Sequence, residues 1–237
     1  MKRIFCIFCV ITMLFLLCSC KDDSSQKANE YESMKTSATK DSVKEFISLL
    51  GNIEPNGLIS GYKNDEETCY NVTPPEVAAE TNMKIFKFSD SCASFVMVDN
   101  EVYPLCESFG GYGFVNAIPC DFDNDGNKDL FVASSWGSGL HRSVISVFNS
   151  VSKESTILYD TSTTDTPSTD LIVAQSTANI FTDDPDIDEK LYYSVLSVKI
   201  NVENNNFANL AYVVTGVEGH IECEDNTLQF IPYQKID

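Results

Sequence analysis

The sequence has few basic residues and few of the side chains that most often carry catalysis. It contains 16 lysines and arginines against 35 aspartates and glutamates, with two histidines and one tryptophan. The formal net charge of −19 repels nucleic acid and anionic lipid headgroups and attracts cations. We therefore expect no nucleic-acid partner, although the excess of acid by itself requires nothing beyond solubility.

Sequence motifs of hydrolases and of zinc sites are also absent. The chain has no GxSxG, HExxH or paired-carboxylate motif, so no nucleophile or acid–base constellation indicates an enzyme. Five cysteines follow Cys20, and none of them belongs to a CxxC pair, which argues against zinc. These cysteines are Cys69, Cys92, Cys106, Cys120 and Cys223.

The odd number of these cysteines leaves at least one thiol outside any disulfide within the chain. Cys92 and Cys106 flank an expected hairpin, and they are the favoured pair if an oxidising compartment allows one. Buried thiols are the alternative.

The first twenty residues have the composition of a targeting segment. Lys2 and Arg3 precede an apolar run over 4–17, which is shorter than the roughly 20 residues of a membrane span. The run ends in Leu17-Cys18-Ser19-Cys20, which resembles the lipobox of bacterial lipoproteins. The resemblance implies that the signal peptide, residues 1–19, is cleaved off. It also implies a diacylglycerol on Cys20 and attachment to the extracytoplasmic face of a bacterial cell membrane. An ordinary secretory signal and an uncleaved anchor are the alternatives.

Residues 20–40 have the composition of a flexible tether. After Cys20 they are rich in Lys, Asp, Ser, Gln, Asn and Glu, with almost no large apolar side chain. Such a stretch does not bury enough apolar surface to offset its ordering entropy. We expect it to hold a single folded domain, residues 41–237, off the membrane.

One helix is expected near the start of this domain. Ser42 and Glu45 have the spacing of a capping box, and Gly51 stands where a helix-ending glycine is common. Residues 51–82, with adjacent prolines at 74 and 75, are expected to be irregular. The apolar positions with helical spacing are Val43, Phe46, Ile47 and Leu50.

From residue 84 onward, short alternating or apolar runs separated by turn residues predict strands. This pattern is typical of an antiparallel sandwich or an open propeller-like stack. The predicted fold is therefore mainly β, with one short N-terminal helix. The expected strands lie at 95–98, 101–105, 114–120, 130–136, 144–148, 156–159, 171–174, 179–181, 196–202, 207–217, 221–223 and 228–231.

An acidic loop separates two of these strands, 114–120 and 130–136. Acidic or amide side chains occupy alternate positions of the loop, and Gly126 permits a sharp bend. Calcium takes about 6–8 oxygen ligands, and four clustered aspartates repel one another without a cation. The loop therefore predicts a calcium site, with a solvated acidic turn as the alternative. Its residues are Asp121, Asp123, Asp125, Asn127 and Asp129.

The loop is similar to an EF-hand loop, but Val132 replaces the final glutamate and the flanking segments are strands. The segment 111–149 instead resembles one FG-GAP repeat, also called VCBS, of integrin-type propellers. That family binds calcium in a loop between two strands of one blade. The resemblance implies side-chain ligands from the four aspartates and a carbonyl ligand from Asn127. A closed propeller needs several such loops, and this chain has one. We therefore expect calcium to have a structural role.

The segment that follows the expected strand 130–136 contains residue types that are rare in this chain. Trp136 is separated from His141 and Arg142 by two glycines, a serine and a leucine. Glycines let a ligand approach the backbone, Trp offers a stacking face, and His with Arg can hold an anion or a carboxylate. A ligand-contacting loop is one interpretation. A glycine turn with a half-buried Trp is another, and a general base at His141 is a third.

Taken together, these features predict a lipid-anchored, calcium-stabilised β domain at the cell surface. We expect a binding or adhesion module for a protein or glycan ligand rather than a catalyst. An extracytoplasmic hydrolase that uses the 136–142 loop and a structural domain without a ligand are the alternatives.

Overall fold

The structure, a computed structural model, describes residues 35–51, 62–106, 110–163, 169–176, 192–224 and 227–233. These residues all belong to one unit of the chain, Ser33–Asp237. The leader, Cys20 and the expected strand 179–181 lie outside them. Within the described residues, no helix has both the length and the apolar composition to span a membrane.

Two short helices, two 3-10 turns and twelve strands make up the described part of the chain. The helices are α1 (Val43–Leu50) and α2 (Pro75–Glu80), and the 3-10 turns are Thr161–Thr163 and Glu203–Asn205. The strands are β1 (Cys69–Asn71), β2 (Lys84–Phe88), β3 (Ser94–Val98), β4 (Glu101–Cys106), β5 (Gly113–Cys120), β6 (Asp129–Trp136), β7 (Arg142–Phe148), β8 (Ser155–Asp160), β9 (Asp170–Ser176), β10 (Tyr192–Val202), β11 (Leu210–Glu224) and β12 (Thr227–Pro232).

These strands form three four-stranded antiparallel sheets, each built from strands that are consecutive in the chain. Sheet I has the order β1-β2-β3-β4, sheet II β5-β6-β7-β8 and sheet III β12-β11-β10-β9. A short turn explains the pairing of β3 with β4. Asp99 and Asn100 join β3 to β4 with φ angles of 53° and 62°, as a primed hairpin turn requires. The mainly β, antiparallel fold predicted from the strand spacing is confirmed.

Sheet II lies between the other two sheets. On one of its faces, Val132 and Phe148 share a hydrophobic core with Leu105 of sheet I. On the opposite face, the ring of Phe131 meets that of Tyr193 in sheet III, with centroids 4.8 Å apart. Both faces of sheet II are therefore covered, and the acidic loop between β5 and β6 lies at its end.

Helix α1 covers the outer face of sheet I. Phe46 is fully buried and stacks on Phe86 with ring centroids 4.2 Å apart. The predicted helix is confirmed, and Gly51 ends it with a φ of 54°. The predicted capping box is wrong, because Ser42 has a φ of 57° and its side chain caps no backbone N–H. Its hydroxyl instead accepts a hydrogen bond of 2.8 Å from Lys84 of β2.

The expectation of irregular structure over 51–82 is wrong in two places. Pro75 begins α2, a position where the missing N–H and the fixed φ of proline are tolerated. Val77 anchors this helix in the core. Cys69–Asn71 forms β1, which pairs antiparallel with β2. Elements of six and three residues are too short to produce a clear hydrophobic period.

The folded domain begins earlier than predicted. The Thr36 N–H donates to the Leu210 carbonyl at 3.0 Å, and Thr39 and Asn71 exchange backbone hydrogen bonds of 2.9 and 3.0 Å. The predicted tether over 20–40 is therefore wrong for residues 35–40, which belong to the domain. Backbone hydrogen bonds hold them, and these need no large apolar side chains. Residues 20–34 lie outside the described part of the chain.

None of the five cysteines after Cys20 forms a disulfide, so the favoured pairing of Cys92 with Cys106 is wrong. Four of the five are buried, and Cys223 is exposed. The Cys92 thiol lies 3.6 Å from the Gly111 carbonyl oxygen, and burial raises its pKa. The buried cysteines pack as small apolar side chains.

Candidate metal centre

The acidic loop is the connection between β5 and β6. Cys120 and Asp129 are cross-strand partners, so residues 121–128 form the loop itself. Asn124 and Gly126 have positive φ angles of 55° and 86°, which reverse the chain within a few residues. This sharp reversal allows alternate side chains to converge.

Three aspartates of the loop lie close together. Asp121, Asp123 and Asp125 each offer a carboxylate oxygen, and these oxygens all lie within 4.8 Å of one another. Two like charges about 4 Å apart repel by roughly 1 kcal/mol in water and about 4 kcal/mol at the effective dielectric of a protein surface. The ammonium of Lys128 lies 3.5 Å from Glu80, so this lysine is engaged with another carboxylate. The group therefore concentrates negative charge.

Two buried carboxylate oxygens at this site have no hydrogen-bond partner. Asp129 is 1% exposed, and its Oδ1 accepts a hydrogen bond of 2.7 Å from the Ser150 N–H. Its Oδ2 and the Oδ1 of Asp121 are buried without a partner. Burial raises the pKa of Asp129, and the charges of Asp123 and Asp125 act in the same direction. Because unsatisfied buried carboxylates are costly, these atoms fit a bound cation.

Two asparagines hold the other carboxylates of the loop. Asn127 donates to both oxygens of Asp125, through its side chain at 3.0 Å and its backbone N–H at 2.7 Å. These bonds hold the pKa of Asp125 below its usual range. Asn149, in the turn between β7 and β8, donates to Asp123 at 3.5 Å. Sequence reasoning missed Asn149 and Ser150 as contacts of the loop, because a contact between two separate turns leaves no local pattern.

The predicted ligand loop does not bring its three residues to one site. Trp136 and Arg142 are cross-strand partners, with the guanidinium carbon 5.2 Å from the indole centroid. The His141 ring is edge-on to Tyr112 at 4.6 Å, and its Nδ1 lies 3.8 Å from a carboxylate oxygen of Asp170 in sheet III. His141 precedes β7 and faces Asp170 of sheet III, whereas Arg142 lies over the ring of Trp136, so the two side chains do not converge on one anion.

One glycine of this segment, Gly137, packs closely against the backbone of Gly111. The Gly111 N–H donates to the Gly137 carbonyl at 3.0 Å. A Cβ atom on Gly111 would lie 2.5 Å from the Cα of Trp136. Side chains at these positions would therefore push two chain segments apart.

A cleft of about 210 Å³ opens beside Trp136 between sheets I and II. Strand β4 contributes Leu105 to one wall, and β6, β7 and β8 form the other wall, which includes Ile157 and Asp160. A second, more open cleft of about 790 Å³ borders the acidic loop and includes Val151 of the β7–β8 turn. The cleft beside Trp136 is the more enclosed and the more apolar of the two.

No protein-family model, curated protein or solved structure matches the chain.

Proposed function

We propose that this chain is a lipid-anchored protein of the extracytoplasmic face of a bacterial cell membrane, whose calcium-stabilised β domain acts as a binding or adhesion module. The two buried, unpartnered carboxylate oxygens of Asp121 and Asp129 carry the proposal, because they lie beside two further acidic side chains. The lipobox-like sequence that ends at Cys20 supports the anchor.

The donor atoms of the loop favour a hard cation. The four aspartates and the Asn127 carbonyl supply only oxygen, which suits calcium with its roughly 6–8 oxygen ligands. Calcium would bring the positive charge that the cluster lacks, and it would satisfy the two buried oxygens. Magnesium suits the loop less well, because it demands a smaller, octahedral arrangement.

The proposed role of the ion is structural. Asp123 and Asp129 already contact Asn149 and Ser150 in the β7–β8 turn. A cation bound to these two carboxylates would hold the acidic loop against that turn and fix one end of sheet II.

Calcium titration by calorimetry tests the metal site on the mature domain. We expect one calcium ion per chain for the wild type and none for Asp121→Ala with Asp125→Ala. A matched variant, Glu66→Ala with Glu67→Ala, removes two exposed acids elsewhere and should bind as the wild type does. Equal binding by all three proteins, or by none, would contradict the assignment.

The cleft beside Trp136 supports the binding role. It combines an indole face with aliphatic walls and a carboxylate at Asp160. An enclosed cleft of this kind favours a binding module over a domain without a ligand. A protein segment and a glycan ring are both candidate ligands for this cleft.

A hydrolase is the second candidate, because Asp170 lies 3.8 Å from His141 and could orient it as a general base. The Ser135 hydroxyl, however, donates to Asp170 at 2.8 Å and is fully buried, so it does not serve as a nucleophile. A screen on esters, glycosides and peptides separates the two candidates. Turnover that disappears in His141→Ala would favour the hydrolase, whereas no turnover in either protein would favour the binding module.

A further inference from the structure

The cleft beside Trp136 has the size of one side chain. Its volume of about 210 Å³ is smaller than the roughly 300–1,000 Å³ of typical small-molecule pockets. Leu105, Val144, Ile157 and Trp136 give it mainly apolar walls. The cleft therefore suits one bulky apolar side chain of a larger partner.

Strand β8 borders this cleft and is the last strand of sheet II. Among the described residues, no strand pairs with its outer edge. Ser155, Thr156 and Ile157 are exposed, and Ile157 reaches 61% exposure while it also lines the cleft. An open edge offers backbone donors and acceptors to an added strand, and alternate side chains of that strand enter pockets beside it.

Charge around this edge favours a basic partner. Glu154 precedes β8 and Asp160 ends it, and Asp160 also lines the cleft. Lys153 pairs with Asp99 at 2.7 Å, which offsets its charge, so the charge of Arg142, which lies over the ring of Trp136, is set against two acidic side chains. The whole chain carries a formal charge of −19, which attracts a basic segment over a longer range.

We propose that an extended, basic segment of a partner protein pairs with the outer edge of β8 and places one bulky apolar side chain in the cleft beside Trp136. This inference rests on the proposed binding module and names its partner as a peptide rather than a glycan. Trp136 is the only tryptophan, so its fluorescence reports directly on occupation of the cleft.

Selection from a displayed random heptapeptide library on the calcium-loaded mature protein tests this proposal. We expect enriched peptides to carry Lys or Arg around one bulky apolar residue, to change Trp136 emission, and to bind more weakly as salt is raised. Ile157→Lys, which charges the strand edge, should weaken their binding about tenfold or more. Val144→Phe, which fills the cleft without adding charge, should weaken it as well.

The matched control is Val151→Lys, because Val151 is 59% exposed and lines the other cleft. It should bind the selected peptides as the wild type does. Absence of enrichment, selection of acidic peptides, or equal binding to wild type and Ile157→Lys would each overturn the proposal. Calcium titration distinguishes failure of this inference from failure of the proposed function. A protein that binds calcium but shows no peptide selectivity contradicts only the assignment of the partner.

Discussion

At the scale of single residues, the proposed calcium site predicts that Asp129 links metal binding to stability. Its Oδ2 is buried without a partner, while its Oδ1 accepts the Ser150 N–H. Without a cation, burial of this charge opposes folding, and an unsatisfied buried group costs about 1–3 kcal/mol. With a cation, the same oxygen becomes a ligand. An asparagine at this position should therefore stabilise the domain in the absence of calcium and destabilise it, relative to the wild type, in the presence of calcium.

We expect Asp129→Asn to raise the melting temperature in chelator by roughly 2–4 °C for each kcal/mol recovered. In excess calcium, the same variant should melt below the wild type, because an amide binds the ion less strongly than a carboxylate. Thermal melts of both proteins in both buffers give the comparison. Asp90→Asn, at an exposed acid outside the loop, is the control and should respond as the wild type does. A shift of the same sign in both buffers would rule out the dual role.

Lys87 is a second residue whose burial has a measurable consequence. It is 1% exposed, and its ammonium donates to the Phe114 carbonyl at 3.0 Å. Burial lowers its pKa to about 8, whereas a lysine in the unfolded chain has a pKa of about 10.4. Between these values the unfolded chain binds more protons, so the contribution of Lys87 to stability rises with pH.

We expect the free energy of unfolding of the wild type, relative to Lys87→Met, to rise by about 3 kcal/mol from about pH 7 to about pH 10.5. Taking the difference between the two proteins removes the contributions of titrating groups that do not interact with Lys87. Urea denaturation across this range provides the measurement. Lys84→Met, on the same strand with a partly exposed amine, is the matched control. A pH-independent difference for Lys87→Met would mean that the amine is solvated in the folded state.

At the scale of elements, the acidic loop depends on the backbone conformation of Gly126. Its φ is 86°, and a Cβ atom there would meet no atom within 4 Å. Gly139 has a φ of 89° and equally open surroundings, but it lies in the loop after β6. A side chain at either position would therefore incur the same conformational penalty. Gly126 lies within the acidic loop, whereas Gly139 lies outside it.

Gly126→Ala and Gly139→Ala should each destabilise the calcium-free domain by about 1–2 kcal/mol, because left-handed backbone is unfavourable for alanine. Only Gly126→Ala should also weaken calcium affinity, since it distorts the loop that holds the ligands. Melting in chelator and calorimetric titration measure the two effects separately. Equal calcium affinity in both variants would show that the loop tolerates the strain without loss of the site.

The hairpins could be predicted from sequence because their signals are local. Asp99 and Asn100 favour a tight turn, and alternation on each side fixes the paired strands. The capping of α1 could not be predicted, since Lys84 from another element binds Ser42. Within the candidate site, the aspartates followed from spacing. The contacts of Asn149 and Ser150 did not, because they depend on how two turns meet.

At the scale of the whole molecule, the order of the layers was beyond sequence reasoning. Apolar strands indicate a buried sheet, but they do not state which sheet covers which face. The structure places sheet II between sheets I and III, so Trp136 borders one interface while His141 contacts sheet III. This separation explains why three residues that are close in sequence do not form one site.

The proposed anchor is also a property of the whole molecule, since it places the domain at a membrane. Cys20→Ala, expressed in a bacterial host, should lose labelling by palmitate and move from the membrane to the soluble fraction. Cys18→Ala removes the neighbouring cysteine and should keep both the label and the membrane association. Labelled, membrane-bound Cys20→Ala protein would contradict lipidation at this residue.

Calcium-dependent stability is the central claim, and thermal unfolding of the mature domain tests it most directly. At free calcium 100 times above its Kd, binding to the native state adds about 2.7 kcal/mol. For a domain of this size, each kcal/mol raises the melting temperature by roughly 2–4 °C. We therefore predict a rise of roughly 5–11 °C from chelator to calcium and a much smaller rise with magnesium. Asp121→Ala with Asp125→Ala should lose most of the calcium effect. A wild-type melting temperature that is the same in chelator and in calcium would contradict the account and leave the loop as a solvated acidic turn.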